Sequence, residues 1–209
     1  MYIRSKDKSA DLMRVVFLGP PGAGKGTQAS LLANSNRIPA LSTGDILRAA
    51  IEGQTSIGKI AKAYVDSGGL VPDEVVVGLV TERLSEPDAT AGFILDGFPR
   101  TLAQAASLDD ILAEADANID LTIELTVDDS LLLARIQRRA EIDAASGRKV
   151  RSDDNPESFA IRMNAYRQAT KPLSEYYDNQ GKLVRINGLA SIEVVAAEIH
   201  AAVSACHKR

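Results

Sequence analysis

The chain has 209 residues, a formal net charge of −4, and 45% hydrophobic and 25% charged residues, which is typical of a soluble globular protein. This length allows one or two domains with a sizeable core. The negative charge argues against general binding to nucleic acids or membrane surfaces, so an anionic ligand must be held by locally clustered cations. The single cysteine, Cys206, excludes a disulfide framework and a four-cysteine zinc site within one chain. We find no signal-peptide core and no apolar run of about 18 residues, and we expect a cytoplasmic protein.

Residues 1–12 are polar and precede the first apolar run, so we expect a disordered extension there and assign it no function. Residues 13–209 are expected to form a single domain. Short apolar runs alternate with helical patterns along it, which predicts an α/β fold with a parallel sheet covered by helices on both faces. The predicted strands are Val15–Leu18, Ile38–Leu41, Phe93–Leu95, Leu121–Leu125 and Leu183–Ile186; the predicted helices include Thr101–Ala113, Ser130–Arg139, Pro156–Tyr177 and Ser191–Ser204.

The first predicted strand leads into a glycine-rich segment, Gly19–Thr27, and then into a helical pattern. This order forms a phosphate cradle, because backbone N–H groups point inward and the helix N-terminus adds partial positive charge. Lys25 supplies a point charge for the outer phosphates. The spacing fits G-x-x-x-x-G-K, but Gly26 stands where that motif usually has the Ser or Thr that binds Mg²⁺, and Thr27 comes one place later. The alternative is a glycine-rich turn with one solvated lysine.

The segment Ser42–Val71 follows the second predicted strand and interrupts the alternation. It has a helical pattern, contains the Gly68-Gly69 break and includes Arg48, but no strand follows it. An excursion from the core near a phosphate site is a candidate moving part. An ordinary surface loop is the alternative interpretation.

The third predicted strand ends at Asp96, and Gly97-Phe98-Pro99-Arg100 follows at once. In parallel sheets, ligands bind at the carboxyl ends of strands, which is also where Gly19 begins the glycine-rich segment. A carboxylate beside a phosphate loop can bind Mg²⁺ directly or through water, and because Gly26 offers no ligand we predict contact through water at Asp96. The alternative is an Asp that begins a turn.

Several arginines lie in the second half of the chain. Arg135 and Arg139 are four residues apart and share one helix face. The segment Ala140–Val150 is predicted to be a short, turn-prone link and a second candidate moving part; Arg151 closes it, and Arg162 lies further on. Each arginine alone is typical of a solvated surface. Together, near strand ends and a mobile link, they favour phosphate recognition and phosphoryl transfer.

The acceptor in such a transfer is better predicted to be a phosphate than a hydroxyl. A phosphate oxygen is already anionic near pH 7, since its second pKa is about 6. A hydroxyl acceptor would need a carboxylate to take its proton. The sequence offers many arginines and no clearly placed base, which favours transfer from one phosphate to another.

These segments together resemble one family closely, the adenylate kinases of the bacterial type with a short lid. The matching segments are Gly19–Thr27, Leu41–Arg48, Gly69–Val71, Asp96–Thr101 with Gln104, and Arg151–Asp154 with Arg162. They cover nearly the whole chain from Met13, and the Asp-Gly-Phe-Pro-Arg run is highly specific. The resemblance implies a three-layer P-loop fold and the Mg²⁺-dependent reaction ATP + AMP ⇌ 2 ADP in a monomer. It also implies an AMP-binding segment over residues 42–71 and a short lid over residues 140–150.

The resemblance also implies roles for individual residues. Those expected to bind ATP are Gly22, Ala23, Gly24, Lys25, Gly26, Thr27, Arg135, Arg139 and, through the backbone, Ala190. Those expected to bind AMP are Thr43, Arg48, Gly69, Leu70, Val71, Gly97, Phe98, Pro99, Arg100, Gln104, Arg151 and Arg162, with Gln104 reading the adenine edge. The expected catalytic set is Lys25, Arg100, Arg139, Arg151 and Arg162. The implied partners are ATP, AMP and ADP, with neither nucleic acid nor membrane.

The chain departs from the long-lid relatives, some of which carry four zinc-binding cysteines, so we expect no structural zinc. Arg148 and Lys149 in the link have no assigned role, and Arg138 beside Arg139 leaves the alignment open by one position. One alternative is a UMP/CMP kinase, although Thr43 and Gln104 favour AMP. Another is a non-catalytic nucleotide switch, although the chain has no Asn-Lys-x-Asp guanine-reading run.

Overall fold

The computed structural model describes residues 13–206; the predicted extension, residues 1–12, lies outside this part of the chain. Its five strands form one parallel sheet in the order β2-β3-β1-β4-β5, which confirms the predicted α/β class. The strands are β1 (Met13–Leu18), β2 (Ala40–Ser42), β3 (Gly92–Asp96), β4 (Leu121–Thr126) and β5 (Leu183–Asn187). Each predicted strand is present, with ends that differ by two residues at most.

Helices cover both faces of this sheet. They are α1 (Lys25–Asn36), α2 (Thr43–Glu52), α3 (Ser56–Ser67), α4 (Asp73–Leu84), α5 (Leu102–Glu114), α6 (Leu132–Ala145), α7 (Pro156–Ala165), α8 (Leu173–Asn179) and α9 (Ile192–Cys206). Short 3₁₀ turns occur at Pro87–Ala89 and Asp129–Leu131. No helix within residues 13–206 is both long enough and apolar enough to cross a membrane.

The central strand β1 shows how the layers form. Its side chains alternate between the two faces: Val15 and Phe17 lie in a hydrophobic cluster with α1 and α9, and Val16 and Leu18 lie in a second cluster with α5 and α8. All four side chains are buried. A strand that is apolar on both faces is typical of a parallel sheet covered on both sides.

The topology also places the ligand crevice. β1 has β3 on one side and β4 on the other, and the chain winds in opposite directions from it. The crevice of an open α/β sheet forms at such a switch point, outside the carboxyl ends of the strands. The segment Gly19–Gly24 therefore leaves β1 directly into that crevice.

The prediction of a turn-prone link over Ala140–Val150 was wrong in its first half, because α6 continues to Ala145. The residues up to that point, Ala-Glu-Ile-Asp-Ala-Ala, are mostly good helix formers. The helix ends where Gly147 takes a positive φ of 67°. The N–H groups of Gly147 and Arg148 then donate to the carbonyls of Ala144 and Asp143, the pattern of a Schellman cap. The irregular link spans residues 146–155.

The single helix predicted over Pro156–Tyr177 was also wrong. The structure has α7, a π-helical stretch at Tyr166–Thr170, and then α8. Pro172 has no N–H to continue the helical hydrogen bonds. Just before it, the Lys171 N–H donates to the Tyr166 carbonyl, five residues back, at 2.8 Å. The proline therefore divides what the apolar pattern alone presents as one helix.

Candidate active site

A cleft of about 770 Å³ opens at the carboxyl ends of β1 and β3, between the phosphate loop, α2–α3, α6 and the link 146–155. Its volume is that of a typical small-molecule site. All but two of the site residues predicted from the sequence line it. The exceptions are Phe98, whose side chain is fully buried in the core, and Pro99, which lines a smaller cavity of about 70 Å³ beside the loop. Phe98 is apolar and packs with the cluster around α5, so its side chain does not face a ligand.

The phosphate loop is preformed by its backbone. Gly24 caps α1 in the left-handed region, with φ of 98°, where a side chain would be strained. Lys25 Nζ donates to the carbonyls of Gly19 and Pro20, at 2.7 and 3.0 Å, and so folds back over the loop. Burial lowers the pKa of Lys25 to about 8, opposed by nearby Asp96. The charged form of Lys25 is therefore destabilised by burial, and a bound anion would stabilise it.

The space between the loop and β3 is narrow at the unusual Gly26. A Cβ atom added there would lie 3.2 Å from Oδ2 of Asp96, tighter than ordinary van der Waals contact. A serine or threonine there would require the Asp96 carboxylate to shift by a few tenths of an ångström. Mg²⁺ is commonly held by one or two carboxylates together with substrate phosphates and water. Asp96 and the exposed Thr27, both on the cleft, offer oxygen donors of the type that Mg²⁺ prefers.

On the other side of the cleft, α2 is tied to the loop after β3. The Thr43 hydroxyl donates to the Gly97 carbonyl at 2.8 Å, and Nε of Arg100 donates to the same carbonyl at 2.8 Å. Burial lowers the pKa of Arg100, and Asp96 partly offsets this effect. An arginine remains charged under such conditions. Arg100 is therefore a desolvated cation held in place beside the phosphate loop.

Two acidic residues fix the cations that approach from α6 and α7. Arg139 donates to both carboxylate oxygens of Asp154, at 2.9 and 2.5 Å, and Arg162 lies 2.8 Å from Asp153. Both carboxylates are buried. Burial lowers the pKa of Arg162, with Asp153 opposing. The neighbouring Arg138 also borders the cleft but is exposed.

The remaining predicted cations reach the cleft from its rim. Arg48 forms an ion pair with Asp45 at 2.5 Å, and Arg151 lies 3.7 Å from the same carboxylate. Burial acts to raise the pKa of Asp45, but the hydrogen bond from Arg48 and the charge of Arg151 lower it overall. Arg135 donates to the Gly188 carbonyl at 3.0 Å, close to the predicted adenine contact at Ala190.

Sequence reasoning missed the carboxylates that hold these groups. Asp153 and Asp154 were part of a family segment but had no assigned role, and Asp73 was not singled out. Gln104 is 2% exposed; its Oε1 accepts from the Arg100 backbone N–H at 2.7 Å, and its Nε2 donates to Asp73 at 2.7 Å. Each of these acids lies near a predicted ligand residue in the sequence. Spacing alone does not distinguish such an acid from one on the surface.

Comparisons with known proteins agree with this geometry. A family model described as adenylate kinase matches residues 17–182. The chain is 54% identical over 187 residues to an adenylate kinase of Beijerinckia indica subsp. indica, covering 90% of this chain and 97% of the relative. It is 51% identical over 189 residues to an adenylate kinase of Methylorubrum extorquens, strain PA1, covering 90% and 94%. An adenylate kinase of Agrobacterium fabrum is 52% identical over 187 residues, covering 90% and 95%.

Proposed function

This chain belongs to the adenylate kinase family, and we propose that the cation-lined cleft is where its reaction takes place. The enzyme transfers the terminal phosphoryl group of ATP to AMP reversibly, giving two ADP, and so balances the adenine nucleotides. One observation carries the location: Lys25, Arg100, Arg139, Arg151 and Arg162 come from five separate segments and line one cleft. The net charge of the chain is −4, so this convergence is local.

On the donor side, the loop Gly22–Thr27 binds the ATP phosphates through its backbone N–H groups and the N-terminus of α1. Lys25 exchanges its two carbonyl partners for phosphate oxygens. Arg135 and Arg139 extend from α6 toward the same phosphates, and the backbone near Ala190 contacts the adenine. Mg²⁺, bound with ATP and contacted through water by Asp96, would neutralise charge on the donor phosphates.

On the acceptor side, α2–α3 and the loop after β3 enclose AMP. Arg48 and Arg100 bind its phosphate, and the backbone of Gly69–Val71 with Thr43 lines its pocket. Gly97 and Arg100 act directly from the loop, whereas Phe98 and Pro99 support that loop from behind. The buried Gln104 amide reads the adenine edge from the floor of the cleft.

The transfer itself needs little from the protein beyond position and charge. An AMP phosphate oxygen forms a bond to the terminal phosphorus of ATP, and the bond from that phosphorus to the bridging oxygen breaks to leave ADP. Negative charge spreads over the equatorial oxygens as this happens. Arg100, Arg151 and Arg162 lie where they can neutralise it, in a partly desolvated cleft where donors act strongly. The acceptor oxygen is already anionic, so no general base is required.

The catalytic assignment is tested with Arg100→Ala. Losing one charge-assisted donor at a transferring group costs about 2.7–4 kcal/mol, so we expect kcat/KM to fall at least about 100-fold. Arg138→Ala is the matched control, because Arg138 borders the same cleft but is exposed. That variant should change kcat/KM less than about threefold. A fall under tenfold for Arg100→Ala would remove this residue from the catalytic set.

Acceptor choice is tested separately with the unmodified chain. Initial rates with ATP and Mg²⁺ are compared for AMP, UMP, CMP and GMP as acceptors. We expect AMP to be favoured in kcat/KM by at least about 100-fold, because a site that hydrogen-bonds one base leaves buried polar groups unpaired with another. A clear preference for UMP would mean a UMP/CMP kinase, and binding without turnover would mean a nucleotide switch. No comparison supports either alternative.

We also propose three features of the setting in which the enzyme works. The enzyme works in the cytoplasm as a monomer, and its short lid, expected over residues 140–150, needs no structural zinc. The cytoplasmic setting is supported by the single cysteine, which suits a reducing compartment. The zinc expectation rests on that same cysteine count.

A further inference from the structure

Asp73, the first residue of α4, bridges two segments of the acceptor pocket. Its Oδ1 accepts from Nε2 of Gln104 at 2.7 Å, and its Oδ2 accepts from the Thr101 hydroxyl at 2.8 Å. The Thr101 oxygen in turn accepts from the Gln104 backbone N–H at 3.1 Å. Both carboxylate oxygens are therefore used, and the three residues form a closed ring of hydrogen bonds.

This ring determines which way the Gln104 amide points. Its Oε1 accepts from the Arg100 backbone N–H at 2.7 Å, and its Nε2 faces the Asp73 carboxylate. A backbone N–H can only donate and an ionised carboxylate can only accept. A flipped amide would place N–H against N–H and oxygen against oxygen, and at a residue only 2% exposed no water would compensate. Gln104 is thus held in one orientation.

The orientation matters because the two purines present opposite patterns. Adenine offers a donor at its 6-amino group beside an acceptor at N1, whereas guanine offers an acceptor at O6 beside a donor at N1. A glutamine that can flip matches either edge. A fixed glutamine matches one edge and presents the wrong group to the other, leaving buried polar groups unpaired.

We propose that Asp73 is a specificity-determining positioning residue, which holds the Gln104 amide in the single orientation that admits AMP and rejects GMP. The proposal rests on the role of Gln104 at the purine edge that was proposed above. Asp73 acts through Gln104 and does not itself touch the nucleotide.

The test substitutes Asp73→Asn. The new amide can present either its oxygen or its N–H₂ to Gln104, so a flipped Gln104 would conflict only with the Arg100 backbone N–H and no longer with residue 73. The readout is the ratio of dissociation constants for GMP and AMP, each measured by competition calorimetry on one enzyme preparation. We expect this ratio to fall at least about tenfold in the variant. An unchanged ratio would overturn the proposal, and a loss of stability alone would leave the ratio unmoved.

Glu74→Gln is the matched control. It removes the same charge from the same first turn of α4, but Glu74 is exposed. Its ratio should stay within about twofold of the unmodified chain, since it makes no contribution to the ring. If Asp73→Asn does not fold, Thr101→Val removes the second hold on Asp73 and should lower the ratio by about threefold or more; no change there would equally overturn the proposal.

Gln104→Leu separates this proposal from the one on which it rests. If that variant leaves the GMP to AMP ratio unchanged, Gln104 does not read the purine and both proposals fail. If Gln104→Leu lowers the ratio while Asp73→Asn leaves it unchanged, Gln104 reads the base but its orientation is set without Asp73. Only a fall in both variants supports the role of Asp73.

Discussion

Several cations of the cleft have protein partners that a phosphate can replace. Lys25 is held by two backbone carbonyls, and Arg100 by the carbonyl of Gly97. Carbonyls are neutral acceptors, and an anionic phosphate oxygen binds a cation more strongly. Arg139 and Arg162 instead face the buried carboxylates Asp154 and Asp153, which fix their direction. The cations held by carbonyls can therefore move to a phosphate, whereas those held by carboxylates are already fixed in direction.

The low pKa of Lys25 has a defined consequence for stability. Burial lowers the pKa to about 8 in the folded chain, against about 10.4 for an unperturbed lysine. Below pH 8 both folded and unfolded chains carry the charge, and the cost of burying it is fully present. As pH rises from about 8 to about 10.4, the unfolded chain holds more protons, so this group makes stability increase with pH.

ATP binding should reverse that shift and take up a proton. At pH 8.5 about three quarters of Lys25 is neutral in the free enzyme, and at pH 7 about a tenth. Phosphates beside the ammonium favour its charged form, so we expect uptake of up to about 0.8 proton per ATP at pH 8.5. Calorimetry in buffers of different ionisation enthalpy measures it. Lys25→Arg, which keeps the charge but does not titrate, should abolish the uptake; equal uptake in both proteins would contradict the assignment to Lys25.

At the scale of single residues, the sequence predicted the cations of the cleft better than the carboxylates that hold the site residues in place. Lys25 and Arg100 lie in short segments whose spacing is nearly sufficient to place them, because each follows a predicted strand directly. Asp73 acts on Gln104, 31 residues away, and Asp154 on Arg139, 15 residues away. Such contacts depend on how helices pack, and no local pattern encodes them.

At the scale of elements, strands were predicted better than helix ends. A buried strand is a short apolar run, and each run that was predicted to be a strand is one. Helix α6 was predicted to end at Arg139, yet the helix-forming residues that follow extend it to Ala145. Arg135 and Arg139 therefore sit inside a continuous helix, which holds them more rigidly than a hinge would. The irregular part that remains, residues 146–155, is the better candidate for a moving lid.

Helix α4 shows a different limit of prediction. Its central residues are mostly apolar, with Val75, Val76 and Val77 in succession, so no amphipathic period stands out. Its first residue is Asp73, whose contact with Gln104 depends on how α4 packs beside α5. The helix is stabilised by its packing against α5, in the core cluster that contains Val76.

Across the whole molecule, contacts join the link 146–155 to α2 and α3 over the mouth of the cleft. Lys149 forms an ion pair with Glu52 at 2.7 Å, and Ser152 donates to Asp66 at 2.8 Å. Arg151 approaches Asp45 at 3.7 Å. Lys149, which had no role assigned from the sequence, thus connects the two segments that were predicted to move. These contacts are largely exposed, so they hold the segments together only weakly.

Glu52→Gln tests whether the Lys149 contact restrains the link. The variant removes the negative partner without changing any residue of the link, where Arg148, Lys149 and Arg151 are potential trypsin sites. We expect trypsin to cleave the link roughly twofold to fivefold faster at low ionic strength, as for the loss of an exposed ion pair. Near 1 M salt the Debye length is about 3 Å, and the difference should become smaller. Glu114→Gln, an exposed site at the end of α5, is the matched control and should cleave like the unmodified chain. Equal cleavage rates for Glu52→Gln and the unmodified chain at low salt would mean that the ion pair exerts no hold on the link, and that its other contacts restrain it.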